Sequence, residues 1–309
     1  MIRYKRSFIA ALAAMALFLS CGSKEDSPSP DSSDKAEGKE CYPTEYNVNS
    51  MDYGQRFTYD ADYKIIREEV FDEGESLGYL EYKYDGSGKP VRANYHEDNG
   101  VLSSYRAYTY NSSNLLTGID EMNVRDGKDV RGASFFRYSY DPSGRLSREA
   151  VYMSFNGVEK LHTEYIYEYG TQEQVNKIRQ VYHGNPTGVP SESSTRYFYE
   201  NGLVVKQEHV SSSGRKTYTN YKYGEQRSAT SALIRKHKIL VSFPFPRPTD
   251  MMDKVLLEAS YTDESNQVAD GEETYINSYE FNEHNYPVKV TTKKHNGDIN
   301  TTTYKYECT

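Results

Sequence analysis

The sequence predicts an all-β protein: a single antiparallel up-and-down sheet of about 18 strands with almost no helix. Three observations carry this. Aromatic residues alternate with polar ones in short runs, turn residues separate the runs, and the combination recurs along most of the 309 residues.

The clearest unit is Phe135 to Leu146. In Phe136-Arg137-Tyr138-Ser139-Tyr140 the aromatics fall at every second position, so they share one face of a strand while Arg137 and Ser139 share the other. Asp141-Pro142-Ser143-Gly144 then supplies turn chemistry: Asp bonds the backbone ahead of it, Pro sets φ, and Gly accepts the left-handed conformation. A second extended run from Arg145 to Phe155 returns along the first and ends in Asn156-Gly157, a strong hairpin signal. The unit is two strands and two turns.

The second aromatic of the unit marks its recurrence, at Tyr59, Tyr84, Tyr110, Tyr140, Tyr167, Tyr199, Tyr223, Phe281 and Tyr306. Most gaps are about 25 to 30 residues, which fits two strands and two short turns. Turn pairs such as Asn99-Gly100, Asp126-Gly127, Asn201-Gly202 and Asn296-Gly297 sit where this spacing requires them.

Residues 1–20 have the layout of a secretory leader: Arg3, Lys5 and Arg6 precede an apolar run from Phe8 to Leu19 that is too short to span a bilayer. Phe18-Leu19-Ser20-Cys21 resembles a bacterial lipobox, which implies that Cys21 is lipidated and becomes the mature N-terminus. Lys24-Glu25-Asp26 resembles the export signal of Bacteroidetes surface lipoproteins and implies the outer face of the outer membrane. The alternative is an ordinary cleaved leader with a coincidental Cys. Residues 21–40 lack periodic apolar side chains and are expected to form a disordered tether. Residues 41–309 are expected to form one β-repeat domain with an irregular insertion at about 235–271.

Leu, Ile, Val and Phe are only about a sixth of the mature chain, a share that would suggest disorder. The 31 Tyr reverse that reading, because each carries a large apolar area and their alternation is patterned. The formal charge of -8 becomes more negative once the basic leader is removed. This argues against nucleic acid and against a polybasic membrane dock.

The YxYDxxGxL pattern, complete from Tyr138 to Leu146, resembles the YD or RHS-type repeats of extracellular shells. Together with the leader it resembles a Bacteroidetes surface-lipoprotein family of unknown function with a porin-like fold. The resemblance covers roughly residues 50 to 306; Tyr223-Gly224 and Tyr306-Glu307 depart from the motif, and the region from Arg235 to Gly271 lacks it. It implies a sheet curled towards a porin-like barrel and no activity. The faces opposite the aromatics carry Glu81, Lys83, Arg137, Glu164, Lys222 and Lys305. Each charge facing lipid near the midplane would cost about 2 to 4 kcal/mol, so the expected barrel stands in water and meets the membrane only through its lipid.

Letters that suggest chemistry do not sit in the structures that chemistry needs. Gly74-Glu75-Ser76-Leu77-Gly78 matches a nucleophile elbow, but a strand follows it where a helix is required. Ser213 and Lys216 lie in a turn, and Gly86-Ser87-Gly88-Lys89 is followed by Pro90 where a phosphate loop needs Ser or Thr. The His residues are scattered singly, and the acidic turn from Asp72 to Glu75 lacks a calcium-loop register. No catalytic residue, metal or cofactor is expected.

The insertion runs from Arg235-Lys236-His237-Lys238 through Pro244, Pro246 and Pro248 to a strand-like MMDKVLLEASY. A hairpin with a proline-stiffened loop is favoured over a short helix, capped by Thr249 or Asp250, that plugs a barrel mouth. The YxY aromatics are expected to be structural, and Tyr261 and Tyr286, in less regular surroundings, are the binding candidates. The expected function is a non-catalytic surface lipoprotein binding an extracellular glycan or protein. An architectural shell without ligand, or a hydrolase with an unrecognised site, are the alternatives.

With Cys21 lipidated, Cys41 and Cys308 remain in a compartment that permits disulfides. An open sheet of about 18 strands spaced about 4.8 Å would hold them tens of ångströms apart, and a disulfide needs Cα atoms within about 7 Å. A bond between them requires closure of the sheet, or a long excursion of the N-terminal segment; otherwise both are free thiols.

Overall fold

A computed structural model describes residues 16–17, 39–49, 53–155, 157–170, 174–184, 188–237, 239–240, 248–265, 267–268 and 274–309. Cys21, Lys24, Glu25 and Asp26 lie outside the described residues.

Among the described residues eighteen antiparallel strands close into one barrel. In chain order they are β1 (Cys41–Val48), β2 (Tyr53–Tyr59), β3 (Ile65–Asp72), β4 (Glu75–Tyr84), β5 (Pro90–His96) and β6 (Leu102–Tyr110). Next come β7 (Leu116–Arg125), β8 (Lys128–Tyr140), β9 (Leu146–Phe155), β10 (Val158–Tyr169), β11 (Val175–Tyr182) and β12 (Ser191–Glu200). The last are β13 (Leu203–Val210), β14 (Lys216–Arg227), β15 (Lys254–Asp263), β16 (Tyr275–Phe281), β17 (Pro287–Lys294) and β18 (Ile299–Cys308). Each strand pairs with its chain neighbours, and β18 pairs with both β17 and β1, which closes the ring. Cys41 and Cys308 are register partners there and form a disulfide, Cα to Cα 4.0 Å. A separate two-residue pairing joins Ala16–Leu17 to Ile239–Leu240.

The letters of the repeat now have physical roles. The Oδ1 atoms of Asp60, Asp85, Asn111, Asp141 and Asn282 each accept backbone N–H bonds from the residues two and four positions ahead. That side chain closes the turn the backbone alone would leave open. The residue two positions before the returning strand begins takes positive φ, at Tyr63, Gly88, Asn114, Gly144 and Asn285, which explains the Gly or Asn usually found there. These turns, the disulfide and the insertion all lie at one end of the barrel. The opposite end uses tight turns such as Glu73-Gly74 and Asp126-Gly127, both residues at positive φ.

The second tyrosine of most units ties hairpins together. Hydroxyls of Tyr59, Tyr84, Tyr110, Tyr140, Tyr169, Tyr199 and Tyr306 donate to the carbonyls of Pro43, Ile65, Pro90, Leu116, Leu146, Val175 and Pro287 at 2.5 to 2.9 Å. Each acceptor is a residue near the start of an earlier strand, beside which the ladder often slips by one residue. Phe281 has no hydroxyl, and Tyr279 donates to Leu256 O at 2.6 Å. One assignment is corrected: in β10 the second tyrosine is Tyr169, not Tyr167. Tyr169 pairs with Val175 at the turn, and the absence of an Asp or Asn after it hides the strand end in the sequence.

The first tyrosines, Tyr82, Tyr108, Tyr138, Tyr167 and Tyr197, are buried with Ile65, Leu80, Leu116, Ile119, Phe136, Leu146, Ile178 and Val204 in one interior core. The opposite face is a wall of cross-strand ion pairs. Glu45 meets Arg56 and Lys305 at 3.0 and 2.9 Å, Asp120 meets Arg137 at 2.7 Å, and Lys222 meets Glu258 at 2.6 Å. Glu164 is paired with Arg148 and, at 2.8 Å, with His183. Arg67 and Arg92 lie over Tyr79 and Tyr105 at 3.7 and 3.5 Å from the ring centres. Such a wall suits water.

The insertion joins β14 to β15, which pair directly, so it is a hairpin with an elaborate loop. That loop contains a helix as well. α1 (Ser231–His237) lies upstream of the prolines, and Thr249 and Asp250 fall in a 3-10 turn, Pro248–Met251. Ala232 and Leu233 of α1 are buried in the barrel core.

Candidate functional site

The interior changes character from one end to the other. At the end carrying the disulfide, Tyr286 is 0 % exposed. Its hydroxyl donates to Glu40 Oε2 at 3.0 Å and accepts from Arg227 and Arg235 at 3.0 and 3.1 Å. Arg235 also donates to Glu40 at 2.7 Å. Burial works against the Glu40 charge, but the hydrogen bonds from Arg235 and Tyr286 prevail and hold its carboxyl below the usual range. Lys236 of α1 lies over the stacked rings of Tyr42 and Tyr63. This end is sealed. The expectation that Tyr286 offers a binding surface is therefore corrected: the Asn282 turn directs it inward, where its hydroxyl organises two arginines.

Two carboxyls sit inside this sealed half. Glu68 in β3 and Glu149 in β9 hold equivalent places in the repeat, three residues after Ile65 and Leu146, where other units have Ala93, Ile119 and Ile178. The Tyr82 hydroxyl donates to Glu68 and the Tyr167 hydroxyl to Glu149, both at 3.2 Å. Burial outweighs these bonds, raising Glu68 to about 7 and pushing Glu149 well above its ordinary value. Both were overlooked from sequence, because a Glu within a half-polar strand looks like an outward charge until its cross-strand partners are known.

Towards the other end the same inward face turns polar. Gln55, Thr163, Thr217 and Thr219 are buried there. Thr195 and His209 are hydrogen-bonded at 3.1 Å, and Arg106, Glu121 and Ser134 form a linked group. Tyr261, the other binding candidate, is half-buried here as the register partner of Thr219. On the rim a basin of about 590 Å³ is lined by Asn47, Val48, Asn49, Tyr53, Glu73 and Gly74. Leu77, Val101, Val130, Val158, Val189, Val268, Ile276 and Ile299, all exposed, lie in or near the turns of this end. Only Val91 and Phe198 complete the exposed large apolar set among the described residues.

The sequence matches to catalytic motifs resolve into turns and strands. Ser76 accepts from Gly78 N and donates to Glu69 within the β3–β4 hairpin. Asp85 closes the Gly86-Ser87-Gly88 turn, and Ser211 to Arg215 is another.

No protein-family model matches the chain, and no curated protein matches it. Similar solved structures include a porin-like protein from Bacteroides vulgatus, 11 % identical over 86 % of this chain and 99 % of that one, TM-score 0.44. A porin-like protein from Bacteroides uniformis is 10 % identical over 86 % and 98 %, TM-score 0.40. The Photorhabdus luminescens Tc holotoxin pore is 15 % identical over 79 % of this chain, TM-score 0.39, and only 12 % of that chain is covered. Likenesses at these scores carry no functional argument.

Proposed function

We propose that this chain is a non-catalytic, lipid-anchored protein of the cell surface that binds an extracellular glycan at the open mouth of its barrel. The observation that carries this reading is the division of the interior: one half is filled and sealed, and the other presents amides, hydroxyls and tyrosines towards a rim basin. Sugars are recognised by such groups, their hydroxyls bonding Asn, Gln and Thr while their apolar faces stack on Tyr. Asn47, Asn49, Tyr53 and Glu73 supply that set at the rim, and Tyr261 lies on the inward face of the same half. Glu68 and Glu149 are each locked to a tyrosine inside the core, out of reach of a substrate at the mouth, which favours binding over hydrolysis.

The anchor fits this polarity. Glu40, where the expected tether ends, is pinned at the sealed end by Arg227 and Arg235, so a lipid on Cys21 would leave the open mouth facing outward.

A glycan array probed with the full chain tests the binding, with Tyr53→Ala and Asn49→Ala each expected to weaken any hit at least tenfold, and Asn49→Ala expected to do so without moving the melting temperature. Silence on the array with capture of a protein partner would replace the ligand class, and silence in both would favour an architectural shell. For the anchor, Cys21→Ala is expected to abolish lipid labelling. Joint replacement of Lys24, Glu25 and Asp26 by Ala is expected to protect the protein from protease added to whole cells, and unchanged digestion would refute surface export by that signal.

A further inference from the structure

We propose that the closing disulfide doubles as a redox-gated metal site: once reduced, Cys41 and Cys308 together with His284 bind a soft divalent cation of the zinc type. The three potential ligand atoms already lie within 4.8 Å of one another. Tetrahedral zinc with two thiolates at about 2.3 Å sets the sulfurs about 3.8 Å apart, so opening the bond and rotating the two side chains brings them to ligand spacing. Cys2His with a fourth position left to water is an ordinary zinc donor set.

The frame of the site does not depend on the sulfur bond. Cys41 and Cys308 are opposed by the β1–β18 ladder, and beyond them Glu40 and Thr309 exchange backbone bonds at 3.2 and 2.9 Å. His284 stands on the turn that Asn282 closes by accepting from His284 N and Tyr286 N, both at 3.0 Å. That turn is anchored in the core by Tyr286. The Asn282 Nδ2 group, 3.9 Å from Cys41 Sγ, is placed to donate to a sulfur carrying charge, as outer-shell partners of metal thiolates do.

The chemistry balances. A dithiol reductant supplies two electrons and two protons, the protein disulfide becomes two thiols, and the dithiol closes to its own disulfide. The cation then displaces the two thiol protons and takes the lone pair of a neutral His284 nitrogen. In the oxidised chain the sulfurs are bonded to each other and the site is shut.

The test uses the full chain with Cys21→Ser, reduced with a dithiol, freed of reductant without air and titrated with Co2+. The expected result is one Co2+ per chain with thiolate charge-transfer and tetrahedral visible bands, displaced by Zn2+, and none of these in the oxidised protein. His284→Ala keeps both thiols and should weaken Co2+ at least tenfold, and Zn2+ should raise the melting temperature of the reduced parent but not of this variant. Absence of the bands, equal binding by His284→Ala, or equal binding by the oxidised chain would overturn the proposal. So would loss of the barrel's circular dichroism on reduction alone, because the site requires a frame that survives it.

Discussion

The disulfide end and the opposite end of this barrel are made by the same eighteen strands, yet among the described residues they are held by different means. At the disulfide end most units contribute the same devices: an Asp or Asn that closes the turn, as at Asp60, Asp85, Asn111, Asp141 and Asn282, a tyrosine tied to an earlier strand, and an apolar filling to which α1 adds Ala232 and Leu233. At the open end the turns are varied, the inward side chains are polar, and exposed apolar residues collect on the rim. One end of each hairpin thus meets a fixed architectural demand, and the other is free to differ from unit to unit. Recognition surfaces are usually built from the free end.

The largest effect that would test this contrast comes from the staple. Cys41→Ser or Cys308→Ser is expected to destabilise the barrel by about 2 to 5 kcal/mol in a urea titration, since the bridge spans 267 positions and removes much unfolded-state freedom. A loss below about 1 kcal/mol would show that strand pairing alone closes the ring.

Glu68→Gln comes next, with a sign set by its raised pKa. The folded value of about 7 lies above the ordinary 4.5 of a glutamate, so its contribution is fully present below pH 4.5 and is lost as pH rises to 7. That loss is about 3 kcal/mol in the parent. The Gln variant should be the more stable protein at pH 8 and show a flatter decline from pH 4.5; the remaining fall belongs to Glu149, whose shift has the same direction. Urea midpoints of both proteins at the two pH values would decide it.

Tyr286→Phe should cost about 2 kcal/mol, because two arginines and Glu40 lose one partner in a partly buried cluster. Tyr140→Phe, which removes a single tie to Leu116 O, should cost about 1 kcal/mol. At the open end Tyr261→Phe should change stability by less than about 0.5 kcal/mol. Equal costs for Tyr140 and Tyr261 would erase the distinction between the ends.

Local chemistry is what a sequence displays. The two-residue alternation in Phe136 to Tyr140 and the turn at Asp141 to Gly144 act within a few residues, so strands, turns and their number were legible without coordinates. The same holds for the outward charges, which alternate with tyrosines already assigned to the interior. What tertiary structure alone decided was set by register and closure. Whether Glu68 points in or out, which tyrosine of β10 occupies the tie, and that Tyr286 faces Arg227 and Arg235 depend on bulges and on contacts between residues far apart in the chain. A slip of one residue reverses every side chain beyond it, and no window of sequence records the partner strand that fixes the count. The cysteines stand between these cases: their positions at the two ends of the repeat array posed the question of closure, and the pairing of β1 with β18 answered it.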